Sequence, residues 1–458
     1  MNSGFLQGLL FLAFVGIGAV LGMMTGSTSL LPFGCVAAAI FFLAGWLHPA
    51  SMIILIGSTI LLESEGIIAT IVIPWTLAKV IVAGSMVVWF LRQVSLRKPL
   101  MVIGPETFAM GFILVSMLTS LFFTIEFSIS VKQLIPTILV FALTHLVLAM
   151  GQEARLERVL LWLVPAALAY LLYGALFAEF ESGRLEGSSD NPNLWAMSLS
   201  FFCLPLLGAL AGSKRVLGTI LFSVVLVLLL LNVSYTASRS ALLALLPAIP
   251  ILFLSFRNNM GVMSLFIVPA VVGFFLFADL SMVVERFESA GLGGAEYSAM
   301  HRQEAIWVGL TVFEQNWMFG TGIATFPFYF AMESHSGFLH AAHNMYVNLM
   351  AETGIVGIVS AVFWFLVIGR ALYRTVRRSW NTEYEGAVLG LAAMVLAWAI
   401  SGLFADLFID TLVFFYLGFL FSIDRRLQHR SLLTSVGFKP KEREGLFEKK
   451  DSLNPILF

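Results

Sequence analysis

Three basic side chains stand apart in a chain that carries few charges: Arg239 in NVSYTASRSALLALL, Arg302 in HRQEAIW and His343 at the head of HNMYVNLMAETGIVG. A guanidinium is planar, permanently charged and grips phosphate oxygens two at a time. An imidazole titrates near neutrality, so it can accept a proton from an attacking hydroxyl or hydrogen-bond a phosphate. Fixed cations act most strongly on charge that develops during a reaction. Arg239 sits where one apolar run ends and the next begins, which places it in the first turn of a helix, among free backbone amides that add to an anion site. Leu243, one turn on, is expected to fix that face by packing. Each side chain also has a plainer reading: Arg239 snorkelling to headgroups, Arg302 paired with a nearby acid, His343 at an ordinary helix interface.

Nine residues separate the His343-Asn344 pair from Gly354, and Gly357 follows. At 100° per residue both glycines fall within about 40° of the direction of His343, provided the helix is continuous. One face then carries an imidazole at its end and two patches without side chains below it, where a neighbouring helix or a lipid chain packs closely. Glu352 falls on the opposite side of the same helix and is not expected to partner the histidine. His340 is near enough to be a second choice, whereas His301 and His335 read as surface loop residues. Lys79 lies inside an apolar run, where a cation pairs with an acid or helps to hold an anionic ligand. Asp406 and Asp410 are expected one helical turn apart, orienting a hydroxyl substrate or simply solvated. In EGSSDNPN, Asp190 and Asn191 are expected as helix caps.

The elements that must position these groups are membrane spans. The 458 residues are 59% hydrophobic and 12% charged, with a mean hydropathy of +0.94; that charge density is about half the usual value for a soluble protein. A net charge of −1, without interleaved aromatic and basic residues, points away from nucleic acid. Cys35 and Cys203 both lie in apolar runs and read as buried thiols, and metal-ligand spacing is absent. Candidate spans fall at about 5–25, 29–46, 50–62, 69–91, 104–124, 133–150, 156–178, 194–211, 216–232, 239–256, 260–279, 344–369, 385–404 and 408–423. The third is shorter than the roughly 17 residues needed to cross, so the reading is all-α with 12 to 14 spans. The first run has no basic flank of the signal-peptide kind and is expected as an uncleaved helix.

Positive charge orients the bundle. With both termini cytoplasmic, the loops bearing Arg92, Arg155, Lys214, Arg257 and Arg370 to Arg378, and the tail, all lie inside. Of the 26 Lys and Arg residues only Lys132, Arg184, Arg239, Arg286 and Arg302 fall outside, with Lys79 within a span. Residues 1–423 thus form the helical bundle, 280–343 one larger external loop, and 424–458 a solvated, partly disordered cytoplasmic tail. Within the loop, Ile306, Trp307, Leu310 and Phe313 recur at helical spacing over His301 to Glu314, the pattern of a helix lying on the membrane surface or capping the bundle.

Two arginines and a histidine on the outer side of a deep apolar bundle suit a diphosphate attached to a membrane lipid. His343-Asn344, nine residues, then Gly354-Ile-Val-Gly357 resembles the His-[Asn/Ser/Gln]-x9-Gly-x-x-Gly signature of the O-antigen ligase and Wzy-type polymerase superfamily. Arg239 with Leu243 is similar to that family's Arg-x3-Leu motif, and Arg302 stands where its loop arginine does. The resemblance covers about residues 190–423. It implies a polytopic bundle of the C-type glycosyltransferase kind, usually of twelve spans, in the bacterial inner membrane. Its donor would be an undecaprenyl diphosphate-linked glycan and its acceptor a glycan or lipid A core, with no cofactor, metal or nucleotide sugar. Arg239 and Arg302 would bind the diphosphate and His343 would activate the acceptor, with Asn344, Lys79, His340, Asp406 and Asp410 as further substrate contacts. Polymerisation of an O-antigen or exopolysaccharide is the leading expectation, with ligation close behind. A lipid-linked glycan flippase is the alternative from another class; it predicts charged or broken spans near the midplane, and only Lys79 fits that pattern.

Overall fold

The structure, a computed structural model, describes residues 42–60, 77–176, 180–181, 184–186, 191–213, 215–256, 267–269, 271–272, 294–334 and 337–435. It is all-α, as expected. After a helical stretch at 42–47, the helices are α1 (Pro49–Thr59), α2 (Leu77–Leu96), α3 (Pro105–Ser120), α4 (Phe127–Gly151), α5 (Leu156–Leu176), α6 (Pro192–Gly212), α7 (Val216–Tyr235), α8 (Arg239–Phe253), α9 (Gly294–Gln315), α10 (Phe326–Glu333), α11 (Met345–Ser379), α12 (Glu385–Ser401) and α13 (Thr411–Ser435). The sole sheet among the described residues is a hairpin of β1 (Phe180–Glu181) with β2 (Arg184–Leu185). Among the described residues eight helices are long and apolar enough to cross a membrane, and α1 and α12 are shorter apolar helices. The first run, most of the second, and most of 260–279 lie outside the described residues.

The short third run becomes α1, a buried wedge: Met52, Ile53 and Ile56 are all inside. A Cβ on its Gly57 would lie 2.8 Å from Phe415 and 2.9 Å from Leu163. The core centres on α6, α12 and α13. Gly208 and Gly212 on α6 meet Gly386 and Gly390 on α12 with backbone against backbone, the approach that small residues one turn apart permit. Trp364 stacks on Phe414 at 5.5 Å, and the Tyr416 hydroxyl donates to the Phe202 carbonyl at 3.0 Å. Close packing is the main glue here, since lipid is as apolar as the helix faces it replaces.

One end of the bundle is basic. There Arg92 and Lys98 meet Glu153 at 2.7 and 3.0 Å, Arg374 meets Asp424 at 2.5 Å, and Arg425 pairs with Glu106. The expectation of a solvated tail from residue 424 is corrected by these pairs: α13 runs on to Ser435, because Asp424 is buried against Arg374 and Gln428, and Arg430 reaches Glu383 at 2.7 Å. The remainder, 436–458, lies outside the described residues. At the opposite end α3, α5, α7 and α12 finish while α4, α6, α8, α11 and α13 begin.

Candidate active site

At that second end the chain turns tightly into α8. Ala237 takes a positive φ of 47°, the Ser238 hydroxyl accepts from the Ala241 amide, and Arg239 becomes the first helical residue, as expected. Leu243 does not pack: it is 41% exposed, on the outward face of α8, and this corrects its expected role. Asn191 caps α6 as expected, accepting from the Asn193 and Leu194 amides; Asp190 and His335 lie outside the described residues.

The loop helix α9 begins seven residues earlier than expected, at Gly294 rather than His301. Its buried side is Ala305, Val308 and Val312, packed with Phe326, Phe330, Val347 and Ala351. Of the two expected settings for the Ile306, Trp307 and Leu310 stripe, the open one is found: Ile306 and Leu310 are partly exposed and Trp307 is 64% exposed. Packing of α9 onto the start of α11 brings Arg302 toward the other two candidates. The Arg302 guanidinium is held below its ordinary value by burial and by the charge of Arg239. His343 is likewise pulled below the usual imidazole value by burial, then by His340, then by Arg302. Arg302 is therefore within electrostatic reach of both Arg239 and His343, which lie far from it in sequence.

His343 itself has φ of 48°, a left-handed conformation rare outside glycine and asparagine. The bonds of Asn344 and Met345 hold it there. The Asn344 side chain accepts from the Tyr346 and Val347 amides at 3.0 and 3.1 Å, capping α11, and donates to the Leu403 carbonyl at 3.3 Å. The Met345 amide donates to the Gly402 carbonyl at 2.8 Å. Asn344 is thus committed to the backbone. His340 stands T-shaped to His343 at 5.1 Å and stacks on His301 at 5.5 Å, with Phe330 behind it, so the second-choice histidine does join the cluster.

The continuous helix assumed for His343, Gly354 and Gly357 is corrected. His343 lies before the helix, and Gly354 breaks it with φ 63° and ψ −159°. At the break the backbone changes partners with the loop after α9. The Thr321 and Gly322 amides donate to the carbonyls of Ala351 and Glu352 at 3.2 and 3.0 Å, while the Ile355 and Val356 amides donate to those of Trp317 and Met318 at 2.8 and 3.4 Å. Every one of these groups, which an unbroken helix would pair internally, finds a partner, as a buried backbone requires. A Cβ at Gly354 would lie 2.6 Å from the Met318 carbonyl. Gly357 makes room for the side chain of Thr353, one turn above, rather than for a lipid or another helix.

Glu352, set aside from sequence because an ideal helix points it away from His343, is the residue sequence reasoning missed. It is 5% exposed and its carboxylate accepts from the Phe326 amide at 3.1 Å, with the amides of Ala324 and Thr325 also facing it, so it caps α10. Beside it opens a cavity of about 300 Å³, lined among others by Gln133, Thr137, Asn348, Glu352, Asp406 and Ala341. Asp406 keeps accessible surface where it lines this cavity, yet so much protein surrounds it that its carboxyl is pushed up to about 6. It accepts from the Asn348 side chain at 2.7 Å.

Asp406 and Asp410 are not one helical turn apart on a helix: both lie in the loop before α13, and Asp410 accepts from the Val413 amide at 2.9 Å as a cap. Lys79 sits in the first turn of α2, lining a crevice with Pro136 and Thr411, apart from the arginine and histidine cluster.

Fold and site define a class: a polytopic all-α membrane protein with two arginines and a histidine coupled at one end of the bundle. Residues 224–362 match the family model described as O-antigen ligase, so over that segment the chain is similar to that family. The segment holds Arg239, Arg302, His343, Gly354 and Gly357 and is narrower than the 190–423 expected. No curated protein matches the chain. The family's activity is of the membrane glycosyltransferase type.

Proposed function

We propose that the chain transfers a glycan from an undecaprenyl diphosphate carrier to an acceptor hydroxyl at the outer face of the bacterial inner membrane. The observation that carries this reading is the position of Arg302, whose charge acts on His343 and which itself feels the charge of Arg239. Two guanidiniums held near each other repel, and a bound diphosphate relieves that repulsion by supplying the counter-charge. In the reaction the acceptor oxygen attacks the anomeric carbon, and the bond from that carbon to the diphosphate oxygen breaks. The leaving diphosphate keeps the electron pair and is neutralised by Arg239 and Arg302. The hydroxyl proton passes to His343, which burial first, and then His340 and Arg302, keep in its neutral form. The arginines take the charge a metal would otherwise carry, so EDTA is expected to leave transfer intact.

A broken span is what a transporter would show, and α11 is broken. Its free backbone groups, however, are taken up by the loop at Trp317 to Gly322 rather than left to line a pathway, which favours the enzyme. Polymerisation of repeat units is our preferred form of the reaction, because the cavity beside the site has room for about one sugar ring; the description of the matching family favours ligation as the second reading.

The test is gel analysis of surface glycans in a strain deleted for this protein and complemented with His343→Ala. Single repeat units on the core mean polymerase, and full-length chains left on the carrier mean ligase. Repeat units trapped at the cytoplasmic face mean flippase, and normal glycan from the His343→Ala strain removes the catalytic assignment.

A further inference from the structure

The cavity beside Glu352 has a lining unlike that of a lipid-filled gap. Seven segments converge on it: α3 through Met117, α4 through Gln133 and Thr137, the loop at Ile323, α10 through Pro327, Ala341, the first half of α11, and the loop before α13. Its polar groups are of both kinds. Asp406 and Glu352 are acceptors, Asn348 and Gln133 donate as well as accept, and Thr137 adds a hydroxyl. Between them stand apolar plates from Met117, Ile323, Pro327 and Phe408. A lining that mixes polar and apolar groups suits a sugar ring, which carries both hydroxyls and C–H faces. A volume of about 300 Å³ is the lower end of what small-molecule pockets occupy.

Neither Arg239 nor Arg302 lines this space, so a ring held here lies away from the groups assigned to the diphosphate. Ala341, which forms part of the wall, lies between His340 and His343 in the chain, so the cavity abuts the loop that carries the imidazoles. We propose that this cavity is the subsite for a saccharide ring of the acceptor, with Asp406 and Glu352 accepting from its hydroxyls. The assignment rests on the transferase reading. Glu352 has two tasks in it: one carboxylate both caps α10 and faces the cavity, so the lid formed by the loop at Ile323 is tied to the group that meets the ligand.

The experiment uses the full chain in lipid nanodiscs. Saturation-transfer NMR with a panel of methyl hexosides and methyl N-acetylhexosaminides reads the cavity, and titration with inorganic pyrophosphate reads the arginines. Because Glu352→Gln also disturbs a cap, the variants are Asp406→Asn and Gln133→Leu. Both are expected to weaken saccharide binding about tenfold and leave pyrophosphate binding unchanged, with Arg302→Gln doing the reverse. Equal saccharide binding in wild type and both variants, or no binding of the panel to wild type, overturns the subsite. If saccharide binding depends on Asp406 while the wild-type chain transfers no glycan, the saccharide site stands and the transferase reading falls. If His343→Ala is inactive while Asp406→Asn and Gln133→Leu transfer with the wild-type acceptor KM, the subsite falls and the transferase reading stands.

Discussion

His343 owes its role, in this reading, to the groups around it. Burial, His340 and Arg302 all disfavour its protonated form, so it stays neutral to a lower pH than an ordinary histidine. Transfer is therefore expected to be full at neutral pH and to fall only as pH drops below about 6.5; an acid limb above that value, measured on kcat/KM, would contradict the assignment. Asp406 shifts the other way. Its carboxyl is raised to about 6 by burial, so its ionisation weakens the folded state as pH rises through that value. Asp406→Asn is thus expected to raise the melting temperature more at pH 8 than at pH 5, and an equal change at both would refute the shift. Arg239→Lys keeps the charge and loses the planar fork, so it should cut transfer at least about tenfold; full activity would leave Arg239 a snorkelling side chain.

Among the elements, α11 carries the most information. Its break at Gly354 is a junction at which two chain segments exchange hydrogen bonds, and it sets where the loop before α10 lies and hence where Glu352 points. A residue with a Cβ cannot enter that junction: φ is 63° and the Met318 carbonyl is too near. Gly354→Ala is expected to destabilise by about 1–3 kcal/mol or more and to abolish transfer. The control is Gly111→Ala on α3, where nothing lies within 4 Å of the added carbon and a gain of about 0.5–1 kcal/mol is expected. Thermal unfolding in detergent measures both, and equal effects would show that the junction is not specific.

At the scale of the molecule, the two ends of the bundle differ in what their charges do. At the basic end cations are neutralised in pairs, while at the other Arg239 and Arg302 face each other. The same asymmetry orients the protein, with the paired, basic end expected in the cytoplasm. A tag after Phe458 should report cytoplasm, and a periplasmic signal would invert the whole assignment. Arg374→Ala leaves buried Asp424 with the Gln428 side chain and a more distant cation, Arg378 at 3.8 Å, so the variant should lose roughly 3 kcal/mol or less.

The sequence by itself determined the all-α bundle, the ends of most spans, the cap at Asn191, and the order of Arg239, Arg302 and His343 within the matched segment. All of these are written in local composition: hydropathy over one helix length, a cap before its helix, a motif at fixed spacing. Only the tertiary structure decided that Leu243 faces outward, that Ile306 and Trp307 form the open side of their helix, and that Asp424 anchors a continuing helix. In a membrane, lipid-facing and core-facing residues are equally apolar, so periodicity cannot tell the two faces apart. The break at Gly354 and the inward turn of Glu352 were hidden for a second reason. They depend on backbone hydrogen bonds with the loop at Trp317 to Gly322, far from α11 in the chain, and an ideal-helix projection has no place for such a partner.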